Sequence, residues 1–251
     1  MAMGGRSALR ILAAAVGLLF LAGTVFQLLD RFDLIAQPPA GLDAANLVDR
    51  RLALVPYRQA IWPVFLLENG LIALGFLALT GVGIALARRV SRTDDRGTVV
   101  LWTLVTAGLL GGVGQLVLLG GVKATIDIAY CDCGFKEQEV VSQIWAQMVV
   151  EGAGEFVVKV AALFAAAGVV VAARLYGGRS MPDGWALLSY LLAAVVVLTA
   201  ILAFVGLDSL FDVARWLTTL LTGVLIPVWA LWLAARFSEP DLAAGQISAD
   251  G

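Results

Sequence analysis

The sequence predicts an all-α fold, a polytopic integral membrane protein with six transmembrane helices, and three observations predict it. Of its 251 residues, 61% are hydrophobic and only 14% charged, outside the range of soluble globular domains. Six separate apolar stretches are of the ~20-residue length that crosses a hydrocarbon layer. The tryptophans Trp62, Trp102, Trp145, Trp185, Trp216, Trp229 and Trp232 all fall at or within about two turns of a stretch end, the headgroup level that amphipathic indoles prefer.

The first stretch, 11–29, follows Arg6 and Arg10 like the core of a signal peptide, but it is long and lacks a small-x-small cleavage site. It reads as an uncleaved anchor. After "QPPAG", Asp43 is placed to cap a short helix, "AANLVDRRLALV", whose Val48, Leu52 and Val55 share a face opposite Asn46 and Arg50. This pattern predicts an amphipathic helix lying on the membrane surface in the first outer loop, ended by Pro56. The second span, 62–87, carries Pro63 at its start, where a missing N–H costs nothing.

The third span, 98–122, sets Gly108 and Gly112 in a small-xxx-small relation, and the fourth, 145–173, contains Gly152 and Gly154. Close packing of these two helices is expected. The fifth covers 185–207 and the sixth 211–235. Ser209, three residues ahead of Asp212, resembles a capping-box start for the sixth, and Pro227 should perturb its interior. Residues 1–240 thus form one transmembrane domain, and 241–251 a short polar tail.

Short-loop arginines set the orientation. Arg6, Arg10, Arg88, Arg89, Arg92, Arg96, Arg174, Arg179 and Arg236 fall on one side, which marks it as cytoplasmic and puts both termini there. Fourteen arginines against three lysines, in a chain dominated by Ala, Gly, Val and Leu, suggest the plasma membrane of a high-GC bacterium. No basic run longer than "RRVSRTDDR" occurs, so no nucleic-acid partner is expected. The chain has no histidine, which excludes Ser-His and Cys-His nucleophiles, His-ligated haem and imidazole zinc sites.

The unusual stretch is "QIWAQMVVEGAGEFVVKV", with Gln143, Gln147, Glu151, Glu155 and Lys159 at every fourth position. Each step of four advances a helix by about 400°, so the row is a spiral turning about 40° per step. Neighbours in it can pair but its ends cannot, and Glu155 to Lys159 has the favourable order for an i, i+4 ion pair. Counting about 20 residues outward from Arg88 and from Arg174 brings Glu68 and Glu155 to a similar depth near the outer boundary. Gln115 falls in the same outer third. The expected site is a pocket open to the extracytoplasmic side, lined by Glu68, Asn69, Gln115, Glu151, Glu155 and Lys159; the competing explanation is an interfacial amphipathic turn with its own salt bridge.

Cys131 and Cys133, in "AYCDCGFKEQE", form a possible disulfide or thiol pair in an outer loop. Two thiolates do not complete a zinc site, and no catalytic residue, metal or cofactor is expected. The reading that follows is a non-catalytic membrane subunit or scaffold, whose outer polar pocket binds a partner protein or a lipid headgroup within the bilayer. The alternative is a small-solute or ion transporter using the Glu/Lys pocket, and an interfacial enzyme ranks last.

Overall fold

The computed structural model describes residues 3–37, 39, 47–90, 95–130, 137–205 and 208–237. The helices are α1 (Met3–Arg31), α2 (Leu47–Ala87), α3 (Asp95–Tyr130), α4 (Glu137–Tyr176), α5 (Asp183–Val205), α6 (Asp208–Leu220) and α7 (Ile226–Arg236). A π-helical turn, Leu221–Leu225, joins α6 to α7, and no strand occurs among the described residues. Counting α6, the π turn and α7 as one, six helical segments among the described residues are long and apolar enough to cross a membrane.

Each segment packs on its neighbour in sequence, and α7 returns to α1, which closes a ring. Large apolar side chains such as Leu18, Leu74, Val113, Phe156, Leu187 and Val224 point outward from all six. Apolar exposure on every outer face is what a bilayer as solvent permits and water does not. These are the features of a multi-pass membrane protein.

Three helices are far longer than one membrane crossing. α2, α3 and α4 have 41, 36 and 40 residues, roughly twice the ~20 needed to span. The predicted surface helix is not a separate element, because α2 runs unbroken through Pro56 and Pro63. An interior proline frees one carbonyl and strains the preceding turn, so tertiary contacts must hold the helix together. Val55 and Ile61 are buried, the Tyr57 hydroxyl donates to Asp30 Oδ1 at 2.7 Å, and Arg58 pairs with Glu151 of α4. The apolar face read as membrane-seeking is thus partly consumed by the bundle. The α6 start at Asp208 precedes Ser209 by one residue. Asp43, Cys131, Cys133 and the 241–251 tail lie outside the described residues.

Gly154 explains the tight α3–α4 contact: a Cβ there would lie 2.8 Å from the Leu118 nitrogen and 2.9 Å from the Gly114 oxygen. Gly152, by contrast, faces open space and plays no part. The turn into α5 needs Gly178 at φ +71°, a left-handed conformation that side chains disfavour.

Two tryptophans belong to the core rather than to an interfacial belt. Trp185 and Trp229 are fully buried and stack at 5.5 Å. Trp185 Nε1 donates to the Trp229 carbonyl at 3.2 Å, and Trp229 Nε1 donates to Ser189 Oγ at 2.9 Å. Each indole N–H finds a partner, as burial demands. Nearby, the Tyr176 hydroxyl donates to the Leu86 carbonyl at 2.8 Å. Phe237 lies edge-on to Tyr176, under the Arg89 guanidinium, and its carbonyl accepts from Arg10 Nη2 at 3.2 Å. These contacts seal one end of the bundle.

In the last segment, the Ile226 N–H reaches the Leu221 carbonyl, five residues back. The widened turn falls immediately before Pro227, at the start of α7. A wider turn accommodates a proline ring that a regular helix would press against the carbonyl four residues earlier.

Candidate functional site

A cavity of about 450 Å³ lies inside the ring, away from the sealed end. Every helical segment contributes to it at helical spacing. α1 presents Gln27, Asp30 and Arg31; α2 presents Phe65, Glu68, Asn69, Ile72 and Phe76; α4 presents Glu155, Val158, Lys159 and Ala162. Gln115 comes from α3, Ala200 and Ala203 from α5, and Arg215, Thr218, Leu221 and Thr222 from the last segment. Steps of three and four residues keep one face of each helix on the cavity.

Inter-helix contacts order these residues by depth. The Phe20 and Phe76 rings meet edge-to-face at 5.2 Å and line the inner part. Above them the Thr24 hydroxyl donates to Thr222 at 2.9 Å. The next level holds Gln27, which accepts from the Thr219 hydroxyl at 3.2 Å and hydrogen-bonds the Glu68 side chain. Arg31, four residues further along α1, is about 6 Å higher. It donates to Thr219 Oγ1 and lies 4.5 Å above the Trp216 ring. Asp30 and Arg215 share the mouth with it.

α1, α5 and α6 end near this mouth, whereas α2, α3 and α4 continue well beyond the level of Glu68, Gln115 and Glu155. The site therefore sits where three short helices stop against three long ones. Glu155 and Lys159 form an ion pair at 3.8 Å, with side chains 58% and 39% exposed, and Arg215 is exposed too. These residues mark where the cavity reaches the surface.

Of the six residues expected to line a pocket, five do so: Glu68, Asn69, Gln115, Glu155 and Lys159. Glu151 does not. One turn along the spiral from Glu155 rotates it off the cavity and against Gly121 of α3, where a Cβ would lie 2.8 Å from its Cγ. There Glu151 Oε1 is 3.2 Å from Arg58 Nη1 and accepts from the Thr125 hydroxyl at 3.2 Å. Its role is to clamp α2, α3 and α4.

Asn69 donates to the Phe65 carbonyl at 2.9 Å, which ties it back to its own helix. Gln115 is 7% exposed, and its Oε1 is buried without a hydrogen-bond partner. Such an orphaned acceptor costs about 1–3 kcal/mol unless something else satisfies it.

Asp30, Arg31 and Arg215 were not among the residues expected at the site. The available signal was the i, i+3, i+4 set Gln27, Asp30, Arg31 and the run Thr218, Thr219, Thr222 inside an apolar span. Among the described residues, no three His, Cys, Asp or Glu side chains cluster as a metal site.

Fold and site together define a multi-pass, all-helical chain enclosing an amphipathic cavity with a charged mouth and an apolar floor. No protein-family model matches the chain, and neither a curated protein nor a solved structure matches it.

Proposed function

We propose that the protein is a non-catalytic component of a bacterial plasma membrane, with both termini in the cytoplasm, whose cavity opens to the extracytoplasmic side and binds a lipid-like amphiphile by its headgroup. The observation that carries this reading is the polarity gradient along the cavity. Asp30, Arg31 and Arg215 surround the mouth, Gln27, Glu68 and Gln115 the middle, and Phe20, Phe76, Leu221 and Ile226 the floor. A ligand with a charged end and an apolar end fits that gradient, and a volume of about 450 Å³ is within the usual 300–1,000 Å³ for small-molecule sites. A partner protein would instead need a broad exposed surface. Orientation rests on the arginine asymmetry, with the sealed Tyr176–Phe237 end inside.

The test is purification in mild detergent followed by native mass spectrometry, with Ala162→Trp and Ala200→Trp as cavity-filling variants. The wild type should retain a lipid that both variants lose while keeping their melting temperatures. Retention of the same lipid by both variants would refute the reading. Orientation is checked separately by single cysteines in a variant lacking Cys131 and Cys133: a membrane-impermeant maleimide should label position 123 and not position 96 in intact cells.

A further inference from the structure

Resting on the amphiphile reading of the cavity, we infer the class of its ligand: a single-chain amphiphile with an anionic phosphate at the mouth and a hydrogen-bond donor one turn deeper. Formal charges lining the cavity balance, with Asp30, Glu68 and Glu155 against Arg31, Lys159 and Arg215. Selection for an anion therefore comes from which groups remain uncommitted. Asp30 already accepts the Tyr57 hydroxyl, Glu155 is paired with Lys159, and Glu68 is held by Gln27.

The two guanidiniums are different. Arg31 uses one nitrogen on Thr219 and feels the attraction of Glu68, Asp212 and Asp30 as well as the repulsion of Arg215, and Arg215 has no ion-pair partner among the described residues. A guanidinium is a planar fork of five N–H donors that matches phosphate geometry. A phosphate seated between the two would use the idle donors and relieve the repulsion.

The second feature is the orphaned Gln115 Oε1, buried and on the cavity wall. A Cβ on Gly112 would lie 3.5 Å from the Ala73 carbonyl; three residues further along antiparallel α3, Gln115 is level with Asn69 and Gly70. That is the level of Gln27 and Glu68, about 6 Å below Arg31. An amphiphile running head-out and chain-in, with phosphate on the arginines, presents its glycerol hydroxyl or an amide N–H at this depth. The donor satisfies Gln115, and the chain continues to Phe20 and Phe76. A cavity of about 450 Å³, in the lower part of the range for drug-sized ligands, suits one chain rather than two.

Equilibrium binding of radiolabelled oleoyl lysophosphatidic acid to the full chain in uncharged detergent tests this. Oleoyl glycerol lacks the anion, the O-methyl ether of the probe lacks the donor, and glycerol phosphate lacks the chain. The probe should bind about tenfold or more tighter than oleoyl glycerol, from a charge-assisted contact of ~1.5–3 kcal/mol, and roughly three- to tenfold tighter than its ether. Arg215→Gln should weaken the probe about tenfold and leave oleoyl glycerol unchanged. Gln115→Leu, which removes an unsatisfied buried group, should erase the difference between probe and ether. Equal affinity for probe and oleoyl glycerol would overturn the anionic class while leaving an amphiphile site. Equal affinity for probe and ether in the wild type would overturn the donor assignment alone. Binding of glycerol phosphate as tight as the probe would make the ligand a soluble phosphate and overturn the amphiphile reading too. No binding of any of the four would overturn both.

Discussion

Arg58 and Glu151 make a sharp test of the division between scaffold and site. Their side chains are 20% and 6% exposed, with Nη1 3.2 Å from Oε1. Removing one partner of a buried pair leaves an uncompensated charge and costs about 3–5 kcal/mol. The partial exposure of Arg58 argues for the lower end, about 3 kcal/mol. For a chain of this size each kcal/mol shifts the melting temperature by roughly 2–4 °C, so Arg58→Met should lower it by roughly 6–12 °C in detergent. Glu151→Met should lower it by a similar amount or more, because it leaves no counter-charge for Arg58 and no acceptor for Thr125.

The double variant Arg58→Met, Glu151→Met removes both charges and should recover most of the loss, since apolar replacement of a whole buried pair is often neutral or stabilising. Thermal melts of the four proteins form a double-mutant cycle with an expected coupling of about 2 kcal/mol or more. Additive losses would show that the pair is not a unit. Cavity-ligand affinity should be the same in all four, and a change confined to the Glu151 variants would return that residue to the site.

Three further outcomes follow from the packing. Gly154→Val should lower the melting temperature markedly, because its Cβ would meet the α3 backbone at 2.8 Å, whereas Gly152→Ala should leave it unchanged or slightly raised; the reverse order would contradict the assigned interface. Ser189→Ala removes the acceptor 2.9 Å from Trp229 Nε1 and should cost about 1–3 kcal/mol, read as a melting shift with altered tryptophan emission. Tyr176→Phe loses the 2.8 Å bond to the buried Leu86 carbonyl and should cost about 1 kcal/mol, checked by the same melt.

Helix number and approximate position were legible because hydropathy over twenty residues is a sum of many small terms and tolerates local exceptions. The ends were less legible. Pro56 carries a strong local stop signal, overridden by Val55, Tyr57 and Arg58 contacts with residues far away in sequence. Depth counting placed Glu68 and Glu155 at one level and Gln115 in the same outer third, and the cavity contains all three. Facing was harder: Glu151 and Glu155 differ by one turn, and the side on which each neighbour lies is a tertiary fact. Arg31 was hidden because a charge at a helix end normally belongs to the loop, and Arg215, two turns into α6, because its facing is again a tertiary fact. Only the early ending of α1 and α6 beside longer helices turns those ends into a cavity mouth.

The same asymmetry bears on whether a solute could pass through. A path from the floor to the opposite end would cross Leu9, Ala13, Val16, Leu86 and Leu104, all fully buried, and then the Tyr176, Phe237 and Arg10 contacts. Exposing each large apolar side chain to water costs about 1.5–3 kcal/mol, and the route offers a polar solute few replacement partners. The entrance, in contrast, is already present: Glu155, Lys159 and Arg215 are accessible on the cavity wall. On the proposed reading, an amphiphile entering there would need no opening of the packed half, because its chain would stop at the phenylalanines. A transporter built on this chain would have to rearrange that half at every cycle, an argument in favour of the proposed occupancy without passage.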